Sequence, residues 1–445
     1  MFDTSEQTAV LPRRFLLVTH VVPYPASAGN ELRIYRLLLW LKELGYQVVL
    51  LLTVPDTSLT QAQRQALQEL VYRLHTLPAQ GDSTSRFPRA QRGIARLEAS
   101  AQRYARKRKL GPLWWRVREG TGQILSRLQL RLPPTLLLPP HIGVEEHLGT
   151  PPILNEVARL YQQYRPAVVL AEYVFMTRCL QNLPPQTLKV VDCHDVFSKR
   201  AEKVVAAGIV DPIAITAQQE AELLARADLI LAIQPAERCA LQALAPGRKV
   251  ITVGIDIPVQ ASAQPPRPAQ VLCVASDNHV NVQSLQEFVD HAWPEILGKC
   301  PDARLQIVGK AAPKIQTVDE ASILRSGFVE SLEAAYAEAT VVINPVYAGT
   351  GLKIKTVEAL AHGKALVAFG NGVEGLPDAS PPPFRLASDW QGFAVEITRL
   401  LHEPESRRQL EQQALCFARC HFSRNAAYGE FAHALGRWHV QQSLS

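Results

Sequence analysis

The 445-residue sequence predicts an α/β protein: two doubly wound, Rossmann-like domains facing each other across a cleft. Three observations lead there. Short runs rich in Val, Ile and Leu alternate with helical patterns along most of the chain. The alternation stops at a proline-rich stretch and then restarts. Polar residues and glycines gather just after the apolar runs. Continuous apolar strands separated by helices need cover on both faces, which is the condition of a parallel sheet. In open sheets of this kind ligands sit beyond the carboxyl ends of the strands.

In the first half, the apolar runs predict strands at 15–19 (FLLVT), 47–53 (QVVLLLT), 167–171 (AVVLA), 188–192 (LKVVD) and 228–233 (DLILAI). Helical patterns fall at about 30–44, 59–73, 153–163, 214–226 and 235–244. Residues 256–270, DIPVQASAQPPRPAQ, are poor in large apolar side chains and read as a linker. The alternation resumes with strands at 271–275, 304–308, 323–329, 340–344 and 365–369, and helices at about 281–299, 331–338, 352–361 and 389–402. Two last helices, about 404–420 and 423–441, have no strand after them. The expected division is 1–260, 261–422 and a closing helix, 423–445, that packs back on the first domain.

An insertion of about 78–152 interrupts the first domain. Within it, 86–131 hold thirteen Lys/Arg against Glu98 and Glu119, a local charge of +11 in a chain of net +6, which leaves −5 for the remainder. The basicity therefore belongs to one segment. Residues 90–131 look helical and basic and carry Trp114 and Trp115 in the middle, which suits an anionic membrane surface. A solvated helical hairpin with its tryptophans packed on the domain fits the same residues. Nucleic acid is not expected, because no binding motif accompanies the charge.

Composition narrows the class further. Hydrophobic residues at 47% and charged residues at 20% fit a soluble globular chain. The seven cysteines form no CxxC pair, and Cys416 and Cys420 lack the His/Cys company of a metal site, so a reducing cytoplasm is expected. The polar start MFDTSEQTAV predicts no signal peptide. The apolar run from Leu37 to Val54 is broken by Lys42, Glu43 and Gln47, so it reads as helix plus strand rather than as a membrane span.

Residues 344–370, NPVYAGTGLKIKTVEALAHGKALVAFG, are the richest in chemistry. They read as strand end, glycine loop (Gly349, Thr350, Gly351), helix and strand. A loop feeding a helix start offers N–H groups and a positive dipole end to an anion. Lys353 and Lys355 beside it suggest a diphosphate, and Glu358, on the face of Lys355, is placed for ribose hydroxyls. The same Lys/Glu pair also suits an ordinary surface salt bridge. The stretch is not a Walker loop, since Ile354 rather than glycine precedes Lys355. Other strand ends carry HVVPYPASAGNELR, with Gly29, Asn30 as a candidate helix cap and Arg33; CHDVFSKR, with His194 and Asp195; and SDNHVN.

Taken together, these stretches resemble the family-4 ("group 1") retaining nucleotide-sugar glycosyltransferases of the GT-B fold. PYPASAGNELRIYRLLLWLKELGYQVVLL, VDCHDVFSKR, ADLILAIQPAERCAL, SDNHVNVQSLQEFVDHAWPEI, ARLQIVG and GTGLKIKTVEALAHGKALVAFGNGVEGL carry the resemblance, over nearly the whole length except 78–152. It implies that Glu358 is the second acid of an E-x7-E signature and contacts the ribose. The first acid would fall at Thr350, a departure shared by the subgroup with a GTGxKxK pattern; Thr350 and loop N–H groups would then meet the donor sugar. Lys353 and Lys355 would neutralise the leaving diphosphate, Gly29 would let the loop approach the phosphates, His194 would lie near the transferred sugar, and Phe328 and Val329 would meet the nucleobase. The catalytic set is thus His194, Lys355 and Glu358, with Gly29, Thr350, Gly351, Lys353, Phe328 and Val329 binding the donor.

The resemblance implies a hexosyltransferase using a UDP- or GDP-sugar, with a glycan or lipid-linked acceptor, in cell-surface polysaccharide or glycolipid synthesis. The chain has no Asp-x-Asp signature, so no metal or other cofactor is expected. The enzyme is expected in the cytoplasm, held at the inner membrane face by 86–131. A nucleotide-sugar epimerase on the same fold would need acid/base carboxylates from the first domain, where Asp195 alone stands in an obvious place. A non-catalytic glycosyltransferase-like subunit is the third class.

Overall fold

The computed structural model describes residues 13–26, 28–78, 148–200, 215–261, 265–329, 331–348 and 352–444. The basic segment 86–131 with Trp114 and Trp115, and the loop residues Gly349, Thr350 and Gly351, lie outside the described residues.

The described residues form two parallel sheets with their helices. The first is built from β1 (Arg14–Thr19), α1 (Gly29–Glu43), β2 (Gln47–Pro55), α2 (Gln61–Leu70), β3 (Arg73–Leu77), α3 (Pro151–Tyr164), β4 (Val168–Glu172), β5 (Leu188–Asp192), α4 (Ala217–Leu224), β6 (Leu229–Ala232), α5 (Pro235–Leu244) and β7 (Lys249–Thr252). Its strand order is β3-β2-β1-β4-β5-β6-β7. The second comprises β8 (Gln270–Val274), α6 (His279–His291), α7 (Trp293–Lys299), β9 (Arg304–Val308), β10 (Ile323–Gly327), α8 (Leu332–Glu338), β11 (Val341–Asn344), α9 (Ile354–Ala361), β12 (Leu366–Ala368), β13 (Arg385–Leu386), α10 (Trp390–His402) and α11 (Pro404–His421), in the order β10-β9-β8-β11-β12-β13. The last helix is α12 (Arg424–Leu444).

Alternating strand residues feed opposite faces, as the twofold period of a strand requires. Leu16 and Val18 join one apolar layer of the first sheet, while Phe15 and Leu17 join the other. The second sheet is covered likewise on both faces. The doubly wound reading is therefore what the chain folds into.

Three strands escaped the sequence pattern: β3, β7 and β13. All three are sheet edges. Edge strands are covered on fewer sides and need no long apolar run; β3 reads RLHTL and is mostly half-buried. The helix expected over 59–73 stops at Leu70 because Arg73 already pairs with Val49. The helix expected over 281–299 is two, α6 and α7, divided at Ala292 before Pro294, which has no N–H to continue the ladder.

The closing helix returns to the first sheet. Ala427, Tyr428, Phe431 and Leu435 of α12 belong to the same core layer as Phe15, Trp40 and Val253. Tyr428 stacks on Trp40 with ring centroids 4.6 Å apart, and its hydroxyl donates to Asp256 Oδ1 at 3.0 Å. Arg424 pairs with Asp256 and with Glu43. The two chain crossings touch, with Ile257 N donating to Phe422 O at 3.1 Å. Among the described residues, no helix is long and apolar enough to cross a membrane.

Candidate functional site

In each sheet the strand order reverses at one place, and a crevice opens there at the carboxyl ends. The reversal lies between β1 and β4 in the first sheet and between β8 and β11 in the second. The chemistry-bearing side chains gather at these two points.

At the first, β4 ends in Glu172, β5 ends in Asp192, and His194 follows. His194 Nε2 lies 2.5 Å from Glu172 Oε2, and its ring stacks flat on Tyr173 at 4.1 Å between centroids. Both residues hold positive φ, 51° at His194 and 70° at Tyr173. Backbone held in this region is costly for a side-chain-bearing residue and concentrates at functional sites. Buried Arg33 of α1 grips Asp192 with two bonds, Nη2 to Oδ1 at 2.7 Å and Nε to Oδ2 at 2.8 Å, and donates to Gly254 O at 2.7 Å. Burial, reinforced by Asp192, pushes the Glu172 carboxyl above its ordinary value. Glu172, Asp192 and His194 are also a group of potential metal ligands, with one atom of each within 4.8 Å of the others. Asp192 already spends both oxygens on Arg33.

Buried Glu220 shapes the turn below His194. It accepts from Phe197 N and Ser198 N at 2.9 Å and from Ser198 Oγ at 2.6 Å. Asp195 is buried within the same turn; its Oδ1 accepts from Val196 N at 2.9 Å.

At the second point, Lys355 Nζ donates to Asn281 Oδ1 at 2.9 Å. Lys355 belongs to α9, which follows β11, and Asn281 to α6, which follows β8, so this bond spans the reversal itself. Loss of hydration pushes the Lys355 ammonium down to about 8. Glu358, one turn on, accepts from Tyr336 Oη at 3.3 Å, and burial pushes its carboxyl up to about 7. Lys353 stands at the cap of α9, where its carbonyl accepts from Thr356 N at 2.8 Å.

The two points face each other. A Cβ built on Gly29 would lie 2.7 Å from Ile354 Cγ1, so the first turns of α1 and α9 approach as only a glycine permits. Gly29 thus makes room for the helix start that carries the lysines. Asn30 is not the helix cap. That position is Ala28, whose N–H is taken by Glu31 Oε2 at 2.9 Å, while Asn30 bonds Glu31 N and Tyr173. Phe328 and Val329 lie just past β10, which ends at Gly327; Phe328 is 68% exposed, and Val329 packs on the second core. A further open groove of about 490 Å³, lined by Glu287, Tyr347, Phe369 and Trp390, includes none of the residues expected from sequence.

The structure thus brings His194, Gly29, Lys353, Lys355 and Glu358 to the two facing crevices. Sequence reasoning missed Glu172, the Arg33–Asp192 pair, and Gln234 and Glu237 at the start of α5. The last two had a faint signal, since they follow an apolar strand as His194 does.

Comparison with known proteins agrees with this architecture. A Klebsiella pneumoniae protein described as an uncharacterized 44.6 kDa protein in a cps region is 24% identical over 147 residues, 31% of this chain and 38% of that protein. HepE of Anabaena, solved with UDP and glucose, superposes with a TM-score of 0.60 at 14% identity, over 96% of this chain and all of that one. Sucrose-phosphate synthase of Thermosynechococcus elongatus gives 0.59 at 15% identity, over 97% and 100%. A point mutant of TarM of S. aureus, solved with Fondaparinux, α-GlcNAc-glycerol and UDP, gives 0.52 at 11% identity; the match covers 63% of this chain and 58% of TarM. At these identities the structures speak for the fold. Residues 268–403, which hold the second crevice, match the family described as "Glycosyl transferases group 1", and the fold of the described residues is GT-B.

Proposed function

We propose that the protein is a retaining glycosyltransferase that moves a sugar from a UDP- or GDP-sugar to a glycan or lipid-linked acceptor. The observation that carries this reading is the Lys355–Asn281 bond across the strand reversal, with Glu358 one turn away. Lys353, Lys355 and the start of α9 supply positive potential where a diphosphate departs, and such fixed charge is the main demand of sugar transfer from a nucleotide. The lysines do the work that a divalent cation does elsewhere, so turnover is expected to persist in EDTA. Glu358 accepts from the ribose, and Phe328 with Val329 meets the base. Thr350 and Gly351, which precede α9 in sequence, are assigned to the donor sugar. His194, held by Glu172 and Tyr173, lines the sugar side of the cleft. The leaving phosphate itself takes the acceptor proton on the front face, so no protein nucleophile is needed.

A relative from a cps region and a solved likeness that holds UDP and glucose support a sugar-nucleotide role. The acceptor is a growing surface glycan or its lipid-linked form, and the basic segment 86–131 holds the enzyme at an anionic inner membrane face. A second reading, an epimerase on the same fold, is favoured by the first-domain carboxylates Glu172 and Glu237, which join Asp195. Product analysis separates the two: transfer leaves free nucleoside diphosphate, whereas epimerisation keeps the sugar attached.

Thermal shifts with UDP-, GDP- and ADP-sugars test the reading directly. Lys355→Ala is expected to weaken nucleotide binding by about tenfold or more, the range of a charge-assisted contact, while Glu98→Ala leaves it unchanged. Parent-like binding by Lys355→Ala would end the donor-site assignment. Deleting 86–131 is expected to abolish co-sedimentation with vesicles containing phosphatidylserine, and persistent binding would remove that role.

A further inference from the structure

One buried acid of the first domain has no part in the transfer reaction proposed above. Glu237 stands in the first turn of α5 and is 7% exposed. Gln234, at the cap of the same helix, donates from Nε2 to Glu237 Oε1 at 2.9 Å. Glu237 Oε2 is buried and has no hydrogen-bond partner. An unpaired buried carboxyl oxygen is expensive, and native structures keep few of them without a purpose.

Its surroundings say what the free oxygen faces. Gln234 meets the second domain: a Cβ on Gly375, which has φ 89°, would overlap Gln234 Oε1. Gln234 Nε2 fixes one edge of the carboxyl, while Gln234 Oε1 and Glu237 Oε2 are both buried without a hydrogen-bond partner. Asp195 and Lys353 both act on Glu237 electrostatically. Of these two, Asp195 belongs to the turn that carries His194, and Lys353 to the helix start that carries the donor lysines. Burial, with Asp195 beside it, pushes Glu237 up to about 8. A carboxyl that is neutral at pH 7 both donates and accepts, and the matching group on a ligand is a hydroxyl, which does the same. Glu172 Oε1, at the end of β4, is a second buried oxygen without a partner.

We propose that Glu237 binds a hydroxyl group of the transferred sugar and, with Gln234 as its positioning residue, selects the sugar by that hydroxyl. The proposal rests on the donor reading given above and assigns it a contact on the first-domain wall. A site built around a hydroxyl rejects the analogue that lacks it far more strongly than an apolar site rejects a size change, because the buried partner is left unpaired.

The test uses the full chain and calorimetry. UDP and GDP are titrated first; binding of neither would refute the donor reading and the proposal with it. From UDP-glucose, UDP-galactose, UDP-N-acetylglucosamine and GDP-mannose the tightest binder is chosen, together with its monodeoxy analogues. In the parent, one analogue is expected to bind about tenfold more weakly than the intact sugar nucleotide. Glu237→Met is expected to bind the intact form and that analogue equally, and the bare nucleotide as the parent does. Gln234→Met is expected to retain part of the discrimination. The proposal is overturned if Glu237→Met keeps the full tenfold difference, or if it weakens bare nucleotide and sugar nucleotide alike. If Glu237→Met does not fold, the smaller Glu237→Ala takes its place, read on the same analogue.

Discussion

Two side chains in the second crevice have been moved toward neutrality in opposite directions. Lys355 is brought down to about 8 and Glu358 up to about 7, both chiefly by loss of hydration. A diphosphate needs the ammonium charged, which holds below about 8; ribose hydroxyls are best accepted by the carboxylate, which forms above about 7. Nucleotide affinity is therefore expected to peak between these values and to fall by up to about tenfold per pH unit on either flank, the slope of a single proton. Isothermal titration from about pH 5.5 to about pH 9.5 checks this, and a flat profile would remove one or both groups from the contact. In Lys355→Gln the alkaline flank is expected to disappear while the acid flank stays. The residues legible in sequence share one property. His194 directly follows an apolar run, and Lys353, Lys355 and Glu358 belong to the glycine loop and helix that follow another, so the local pattern itself pointed to them. Their partners were not legible. Arg33 and Asp192 are 159 residues apart, and Glu172, at the end of β4, and His194, just past β5, are 22 apart, so only the sheet order brings them together. Glu237 was hidden for another reason: an acid in the first turn of a helix is ordinary, because it complements the helix dipole.

Among the elements, α12 carries the clearest energetic claim. It adds buried Tyr428, Phe431 and Leu435 to a core layer that α1, α2 and the first sheet also build. Tyr428→Ala removes the stack on Trp40 and the bond to Asp256, and by the usual cost of emptying an aromatic site it is expected to destabilise the first domain by about 3–5 kcal/mol. Urea unfolding followed by tryptophan fluorescence measures it. A loss below about 1 kcal/mol would mean that α12 only rests on the surface. The helices were read well from sequence because most carry an apolar stripe on a polar background. The strands were read well only where both faces are covered. At the edges, β3, β7 and β13 alternate weakly or are two to four residues long, and no periodicity can form over such lengths.

Across the whole molecule, the proposed transfer requires the two crevices to meet, and the contact of Gly29 with Ile354 limits how closely the two helix starts approach. Gly29→Val is expected to push the two helix starts apart and lower kcat/KM by about tenfold or more, since displacements of about 1 Å are costly in a positioned site. Ile354→Ala should restore much of the loss when combined with it, whereas a purely local fault in α1 would show no rescue. The larger design, two sheets with their carboxyl ends opposed, was visible in the repeated alternation and the proline-rich break. The closeness of their approach was not, because it depends on one missing side chain. The return of α12 has a consequence for how the chain comes into being. Tyr428 sits 172 residues beyond its partner Asp256. A ribosome therefore releases the whole second sheet before it releases the helix that completes the first core. The half that emerges first is the half that finishes last, and until then Trp40 and Val253 wait uncovered in a nascent chain, where a chaperone can reach them.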